Sequence, residues 1–202
     1  MRITKYTHAC VRLEHEGRVL VLDPGIWSEP AALAGAGAVL VTHEHADHVD
    51  ELRLAGLGVP VHAPAGADLR VLAGTGPVHE ATPGRAFTAA GFRIRPVGGR
   101  HAAVHDDRPE CAHLGYVVDE VLYHPGDSLH VPEQPVETLL VPVHGSWMKT
   151  TEAVEFVKAV RPQRSFGIHD GQLNDRGLSS AHGWLAQETG NGYRRLAPGE
   201  SL

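Results

Sequence analysis

The first quarter of the chain alternates short apolar runs with turn residues, a pattern typical of β-strands. Residues 10–14 and 18–22 are two such runs, and the Glu-Gly pair at 16–17 between them predicts a hairpin. The Asp-Pro-Gly sequence at 23–25 ends the second run. Residues 38–42 predict another short buried strand, which leads directly into a histidine-rich segment.

The rest of the chain mixes further strands with helices. We predict strands at 59–63, 92–97, 138–143 and 165–168 and two within 114–124, and helices at 47–55, 64–73, 151–160 and 179–189. The helix at 151–160 is the clearest, because its apolar residues share one face, Thr150 can cap its start and Pro162 follows its end. This order predicts one α+β domain over residues 1–202, with two sheets covered by helices.

Composition narrows the class of protein. The chain has 202 residues, 42% hydrophobic and 21% charged, which suits a globular domain. Its formal net charge is −6, and no cluster of Lys and Arg stands out, which argues against a nucleic-acid binder and favours a small-molecule substrate. Two cysteines, no apolar leader and no apolar run near the roughly 20 residues of a membrane span predict a cytoplasmic protein without a membrane partner. The sequence is compatible with a homo-oligomer.

Histidine is the unusual feature of the composition. The chain has 15 His against 4 Phe, 4 Tyr and 3 Trp, without a His run that would indicate a tag. Residues 43–48 read His-Glu-His-Ala-Asp-His, directly after the predicted strand at 38–42. Neutral imidazole is the commonest metal ligand in proteins, and imidazole with carboxylate suits zinc, iron or manganese. The sequence therefore predicts a metal site at this strand end rather than a solvated loop.

The His-x-His-x-Asp-His pattern after a short buried strand resembles the signature of the metallo-β-lactamase superfamily. Four further residues match that family in order along the chain: Asp23, His101, Asp127 and His169. The resemblance covers about residues 3–170 and is strongest to a compact lactonase-like branch that includes L-ascorbate-6-phosphate lactonase. It implies a four-layer αββα fold, in which two mixed sheets pack face to face with helices outside.

The resemblance also implies a two-metal site and a hydrolytic activity. The implied ligands are His43, His45 and His101 for the first metal, Asp47, His48 and His169 for the second, and Asp127 as the bridge. Two metals can hold a hydroxide near neutral pH and polarise the oxygen of a lactone, ester, amide or phosphodiester. Asp47 is the candidate for orienting that hydroxide and taking up its proton. Asp23 is the expected support behind the metal ligands. We expect two divalent ions, zinc first, with manganese or iron as alternatives.

Two of these assignments have rivals nearby. His105 lies four residues after His101, and we favour His101 because it is nearer the end of the strand at 92–97. Asp106, Asp107 and Asp119 compete with Asp127, which alone lies in a Gly-Asp-Ser turn after a strand. Asp170, beside His169, is interpreted as a surface acid. We assign no role to the following histidines: His62, His79, His113, His130 and His182.

Several residues are candidates for the substrate pocket. His8 has a pocket role by resemblance, against the alternative of an ordinary strand-end histidine. His144 is a candidate proton donor to the leaving group, with a loop residue of no role as an equal alternative. Trp147 and Met148 form either a pocket wall or, by preference, ordinary core packing. Arg100 is a weaker candidate for holding an anionic substrate, and the rim is expected at 98–112 and 125–136.

Two other functions remain open from sequence. One is iron-dependent oxidation or persulfide chemistry on the same fold. The other is metal binding without turnover. Metal content and activity against generic substrates distinguish them from hydrolysis, since fold-level resemblance does not name a substrate.

Overall fold

The computed structural model describes residues 1–70, 72, 76–105, 111–190 and 192–202. One sheet contains β1 (Arg2–Lys5), β2 (Val11–His15), β3 (Arg18–Leu22), β4 (Ala38–Leu40), β5 (Val61–Pro64) and β6 (Val78–Ala81). The other contains β7 (Phe87–Ala89), β8 (Phe92–Val97), β9 (Gly115–Val118), β10 (Leu122–His124), β11 (Thr138–Pro142) and β12 (Arg164–Ile168). The helices are α1 (Glu51–Ala55), α2 (Thr150–Val160) and α3 (Asp175–Thr189), with a 3₁₀ turn at Pro30–Leu33.

The two sheets have related topologies. The first has the order β1-β2-β3-β4-β5-β6, antiparallel from β1 to β3 and parallel from β3 to β6. The second has the order β12-β11-β10-β9-β8-β7, antiparallel from β7 to β10 and parallel from β10 to β12. Both are therefore mixed sheets, as the sequence predicts.

Three apolar clusters define the layers. The central cluster joins Leu20 and Leu40 of the first sheet to Ile94, Tyr116 and Leu140 of the second. A second cluster packs the outer face of the first sheet against α1 and the 3₁₀ turn. A third packs the outer face of the second sheet against α2 and α3. The predicted four-layer αββα arrangement is thereby confirmed, with the sheets face to face and the helices outside.

Strand residues alternate between these layers as side-chain geometry requires. In β8, Phe92, Ile94 and Pro96 are buried, whereas Arg93 is exposed and Arg95 is half-buried. The same alternation holds in β2. Among the described residues, no helix has both the length and the apolar composition to cross a bilayer.

The predicted helix at 64–73 is wrong over its described residues. Ala65 instead extends the sheet pairing by donating its N–H to the carbonyl of Ala81 at 2.9 Å, and Gly66 turns the chain with a φ of +86°. A positive φ ends a right-handed helix. The strands β1, β6 and β7 were not predicted from the sequence individually.

Helix starts differ from prediction where a capping residue decides them. Asp50 caps α1 by accepting from the N–H of Arg53 at 3.0 Å, so the helix begins after the metal-ligand motif. Asn174 caps α3 in the same way through Gly177 at 3.0 Å, so the helix begins at Asp175, four residues before the predicted start. For α2 the N-cap is Lys149 rather than Thr150.

Candidate metal centre

The predicted ligands lie just beyond the carboxyl ends of four strands. Residues 43–48 follow β4, His101 follows β8, Asp127 follows β10 and His169 follows β12. The structure brings all seven predicted ligands into one cluster beyond these strand ends. His43, His48, Asp127 and His169 are each less than 5% exposed, and His101 is 7% exposed.

The cluster divides into two donor groups joined by one carboxylate. Ring nitrogens of His43, His45 and His101 lie within 4.8 Å of one another and form the first donor group. Donor atoms of His8, Asp47, His48 and His169 satisfy the same limit and form the second donor group.

Asp127 lies between these groups. Its Oδ1 is 3.0 Å from Nε2 of His48 and 3.1 Å from Nε2 of His169. Its Oδ2 is 3.3 Å from Nε2 of His101. Asp127 thus contacts histidines of both groups, and its role as the bridge between two metals stays a prediction.

The donor atoms fit metal ions. Among the described residues, Nε2 of His48, His101 and His169 and Oδ1 of Asp127 have no hydrogen-bond partner although they are buried. A buried polar atom without a partner costs free energy, so a cluster of four such atoms turned toward one another indicates a bound cation. Imidazole nitrogen with carboxylate oxygen is a ligand set for zinc, manganese or iron.

The opposite ring nitrogens of three ligands are held by oxygen acceptors. Nδ1 of His48 donates to Oδ2 of Asp23 at 2.7 Å, and Nδ1 of His101 donates to the carbonyl of Ala102 at 2.6 Å. Nδ1 of His169 donates to the carbonyl of His144. Each contact leaves Nε2 free of its proton in the neutral ring and directs it toward the cluster.

Asp23, the residue predicted to support the ligands, contacts His48 and Thr42. It is fully buried, and its two oxygens accept from the N–H and the hydroxyl of Thr42, each at 2.7 Å, besides the bond from His48. Because Thr42 immediately precedes the ligand motif, this carboxylate fixes both the start of the loop and the orientation of His48.

Electrostatics keep the carboxylates of the cluster ionised. Burial alone would raise the pKa of Asp127, but the neighbouring imidazoles of His48, His101 and His169 hold it well below its usual range. Burial likewise opposes ionisation of Asp47, yet the hydrogen bond from His8 and the neighbouring His48 lower its pKa to about 2. Burial lowers the pKa of His43 well below its usual range, so that ring stays neutral. Ionised carboxylates and neutral imidazoles are the forms that bind metal.

Comparison with known proteins agrees with this geometry. A family model described as a β-lactamase superfamily domain matches residues 2–169. The chain belongs to the metallo-β-lactamase superfamily. It is 34% identical over 210 residues to protein Rv0786c of Mycobacterium tuberculosis, covering 100% of this chain and 98% of that protein. It is 26% identical over 189 residues to the UPF0173 metal-dependent hydrolase Ta0764 of Thermoplasma acidophilum, covering 84% and 83%.

A solved structure shares the fold of this superfamily member. Igni18, described as a novel metallo hydrolase from Ignicoccus hospitalis, matches with a TM-score of 0.78 at 19% identity, covering 100% of this chain and 97% of that one. At this identity the likeness concerns the fold.

Within the second donor group, His8 holds the carboxylate of Asp47 in place. It has a φ of +67°, and its Nδ1 accepts the N–H of Gly171 at 3.1 Å. Its Nε2 therefore carries the proton of the neutral ring and donates to Oδ2 of Asp47 at 3.1 Å. Burial lowers the pKa of His8 to about 4, which agrees with a neutral ring.

The rivals of the predicted ligands lie elsewhere or outside the described residues. His105 is exposed and belongs to neither donor group. Asp119 lies in the β9–β10 turn, where its carboxylate accepts the N–H of Arg93 at 2.8 Å. Asp106 and Asp107 lie outside the described residues.

The predicted pocket residues have mixed placements. The main-chain carbonyl of His144 contacts His169, and its half-buried side chain keeps a role in proton donation only as a prediction. Arg100 is exposed and forms an isolated bridge with Ala112, and its substrate role also stays a prediction. Trp147 is not ordinary core packing, because its Nε1 donates to Oδ2 of Asp127 at 2.9 Å.

Two buried histidines beside the cluster were missed from the sequence. His113, which received no role, accepts the N–H of Asp127 on its Nε2 at 3.0 Å. His124 accepts the N–H of Gly126 at 3.1 Å and donates to the carbonyl of Ala9 at 2.8 Å. Both fix the turn that carries Asp127. His124 directly precedes that turn, which was an available signal, whereas His113 is 14 residues before Asp127 and offered none.

The interpretation of Asp170 as a surface acid is wrong. It is 7% exposed and pairs with Nζ of Lys5, itself 1% exposed, at 3.0 Å. The pair ties β1 to the loop that carries His169.

Proposed function

We propose that this protein is a metal-dependent hydrolase that uses two divalent metal ions, zinc in the first instance, to cleave a small-molecule lactone, ester, amide or phosphodiester. The observation that carries the proposal is the carboxylate of Asp127 between two donor groups, with four buried donor atoms that lack partners among the described residues. His43, His45 and His101 would hold one ion and Asp47, His48 and His169 the other, with Asp127 shared.

The metal ions, when bound, would supply an acidified water molecule near neutral pH and polarise the oxygen of the bond to be cleaved. The chain supplies the proton acceptor. Asp47 is the most accessible carboxylate of the cluster, with 23% of its side chain exposed against 5% for Asp127 and none for Asp23. The hydrogen bond from His8 keeps Asp47 ionised, so that it can orient the attacking water and accept its proton.

The imidazole of His144 is the candidate donor of a proton to the leaving group. Its carbonyl contact with His169 places its main chain beside the second donor group. The relative Ta0764 is described as a metal-dependent hydrolase, which supports the reaction class. We further propose a cytoplasmic location, in keeping with a content of only two cysteines, and retain the lactonase-like branch as the expected relationship.

Metal content tests the proposal first. Elemental mass spectrometry of the untagged protein should find about two zinc or manganese ions per chain. His45→Ala and Asp127→Ala should lower both the metal content and the rate of hydrolysis of a panel of esters, lactones and bis-phosphodiesters. His15→Ala is the matched control, because His15 lies on β2 with 44% of its side chain exposed and should change neither quantity.

Three results would contradict the proposal. Unchanged metal content and hydrolysis in both site variants would remove the assigned ligands from the reaction. One iron ion per chain with oxygen consumption would favour oxidation chemistry instead. Bound metal without hydrolysis of any substrate in the panel would favour a metal-binding protein without turnover.

A further inference from the structure

The indole of Trp147 spans the two donor groups. Its ring centroid is 6.3 Å from that of His101, in the first donor group, and 6.1 Å from that of His169, in the second. The interplanar angles of 75° and 69° show that it meets both rings edge-on. Its Nε1 donates to Oδ2 of Asp127 at 2.9 Å. One side chain therefore contacts the shared carboxylate and a ligand from each side.

The contact distinguishes the two oxygens of Asp127. Oδ2 accepts the indole N–H, whereas Oδ1 lies near His48 and His169 without a hydrogen-bond partner among the described residues. A carboxylate can turn about its terminal torsion, for which the energy wells are broad. A directed donor on one oxygen limits that rotation and thereby fixes where the other oxygen points.

Residue 145 is a glycine, and its lack of a side chain leaves space for the indole. A Cβ atom at Gly145 would lie 2.7 Å from Nε1 and 2.8 Å from Cε2 of Trp147. Both distances are far below van der Waals contact, so a side chain at residue 145 would displace the ring. Indole nitrogen is a donor only and cannot itself bind the metal. The arrangement therefore acts on the carboxylate and not on the ion.

We propose that Trp147 is a positioning residue, whose indole N–H sets the orientation of the Asp127 carboxylate between the two metal ions. The inference rests on the proposed function, because it concerns the shared ligand of that site. Removing the hydrogen-bond partner of a metal ligand typically lowers metal affinity by about 10–100-fold. We expect a loss of this size for at least one of the two ions when the indole N–H is removed.

The test uses Trp147→Phe, which keeps an aromatic ring but removes the donor. Zn²⁺ affinity is measured by competition with a chromophoric chelator, and absorption spectra are recorded after loading with Co²⁺. Trp147→Phe should bind at least one ion about 10–100-fold more weakly and show a changed Co²⁺ spectrum. Trp184→Phe is the matched control, because Trp184 lies on α3, is 52% exposed and should match the unsubstituted protein in both measurements.

A second variant and a second measurement cover the case in which Trp147→Phe does not fold. Gly145→Ala keeps Trp147 but displaces its ring, and it should reproduce the affinity loss. In the unsubstituted protein, NMR should show slower hydrogen exchange at the Trp147 indole N–H than at that of Trp184.

The failures are distinguishable. Unchanged Zn²⁺ affinity and Co²⁺ spectrum in Trp147→Phe, or equally fast exchange at both indoles, would overturn this inference and leave the proposed function standing. An unsubstituted protein that binds no metal would overturn both.

Discussion

Lys5 and Asp170 form a buried ion pair that joins the first strand to the loop of the last metal ligand. Their side chains are 2% and 9% exposed, and Nζ lies 3.0 Å from Oδ1. Nζ also donates to the carbonyl of Tyr6 at 2.9 Å. The same two segments are joined by the N–H of His169, which donates to the carbonyl of His8 at 3.1 Å.

Replacing Lys5 by Met should be strongly destabilising. Met preserves most of the apolar stem but removes the ammonium, which leaves the buried Asp170 carboxylate without its counter-charge. Breaking a buried pair in this way costs about 3–5 kcal/mol, because the remaining charge keeps its desolvation penalty. Asp170→Leu leaves the ammonium unpaired and should cost a similar amount. The double variant removes both charges and should be less destabilised than the sum of the two.

Urea denaturation of the metal-free protein, in excess chelator, measures these free energies of unfolding without a contribution from metal binding. The matched control is Lys158→Met, because Lys158 pairs with Glu155 at 3.2 Å on α2 with both side chains about half exposed or more. Such a pair contributes about 1 kcal/mol or less. A Lys5→Met cost no greater than that of Lys158→Met, or strictly additive single and double variants, would refute the reasoning from burial.

Further predictions concern the backbone, pH and tautomer control. Gly25→Ala should lower the metal content found by elemental analysis, because its Cβ would lie 1.9 Å from the carbonyl oxygen of Asp47. The control is Gly183→Ala on α3, where a Cβ meets open space. It should raise the free energy of unfolding in urea by about 0.5–1 kcal/mol. Normal metal content in Gly25→Ala would refute the steric argument. Burial lowers the pKa of His182 from 6.5 to about 4 in the folded protein. Between about pH 4 and pH 6.5 this histidine is therefore protonated in the unfolded chain but not in the folded one. Its contribution to stability is therefore present above pH 6.5 and is lost as pH falls to about 4, with a limiting slope of about 1.4 kcal/mol per pH unit. In urea titrations, the free energy of unfolding of His182→Gln should depend less steeply on pH than that of the unsubstituted protein. An identical pH dependence in the two proteins would exclude His182 as a cause. Asp23→Asn should weaken Zn²⁺ binding about 10–100-fold in chelator competition, because the charged acceptor for His48 is lost; unchanged affinity would count against that role.

The metal-ligand candidates could be located from sequence because their signals are local. His43, His45, Asp47 and His48 occupy six consecutive positions after a buried strand, and strand ends are recognisable from apolar runs. The structure places His101 and Asp127 with them because each also follows a strand whose carboxyl end reaches the cluster. Residue type and strand position, together with the resemblance to the superfamily, were the basis for predicting this part of the site.

The wrong helix at 64–73 shows where a local pattern fails. Its apolar spacing is real, since Leu69 and Leu72 are both buried in the cluster that covers the first sheet. These side chains reach the cluster from a turn and not from a helix, because Ala65 remains paired with Ala81 and Gly66 adopts a positive φ. Apolar spacing identifies which side chains are buried, and it identifies a helix only where backbone hydrogen bonds have no better partner.

Asp23 and His8 were named from the sequence, but the other supporting residues were missed for a different reason. Asp170 was interpreted as a surface acid because its partner, Lys5, is 165 residues away. Trp147 contacts Asp127 across 20 residues, and His113 contacts it across 14. A metal ligand must be one of a few residue types, so its identity is itself a signal. A residue that orients the ligand needs only a donor or an acceptor at the correct distance, which a main-chain carbonyl supplies for His101 and an indole supplies for Asp127. Because many groups meet that need, the supporting contacts depend on which strands become neighbours and can be assigned only once the fold is known.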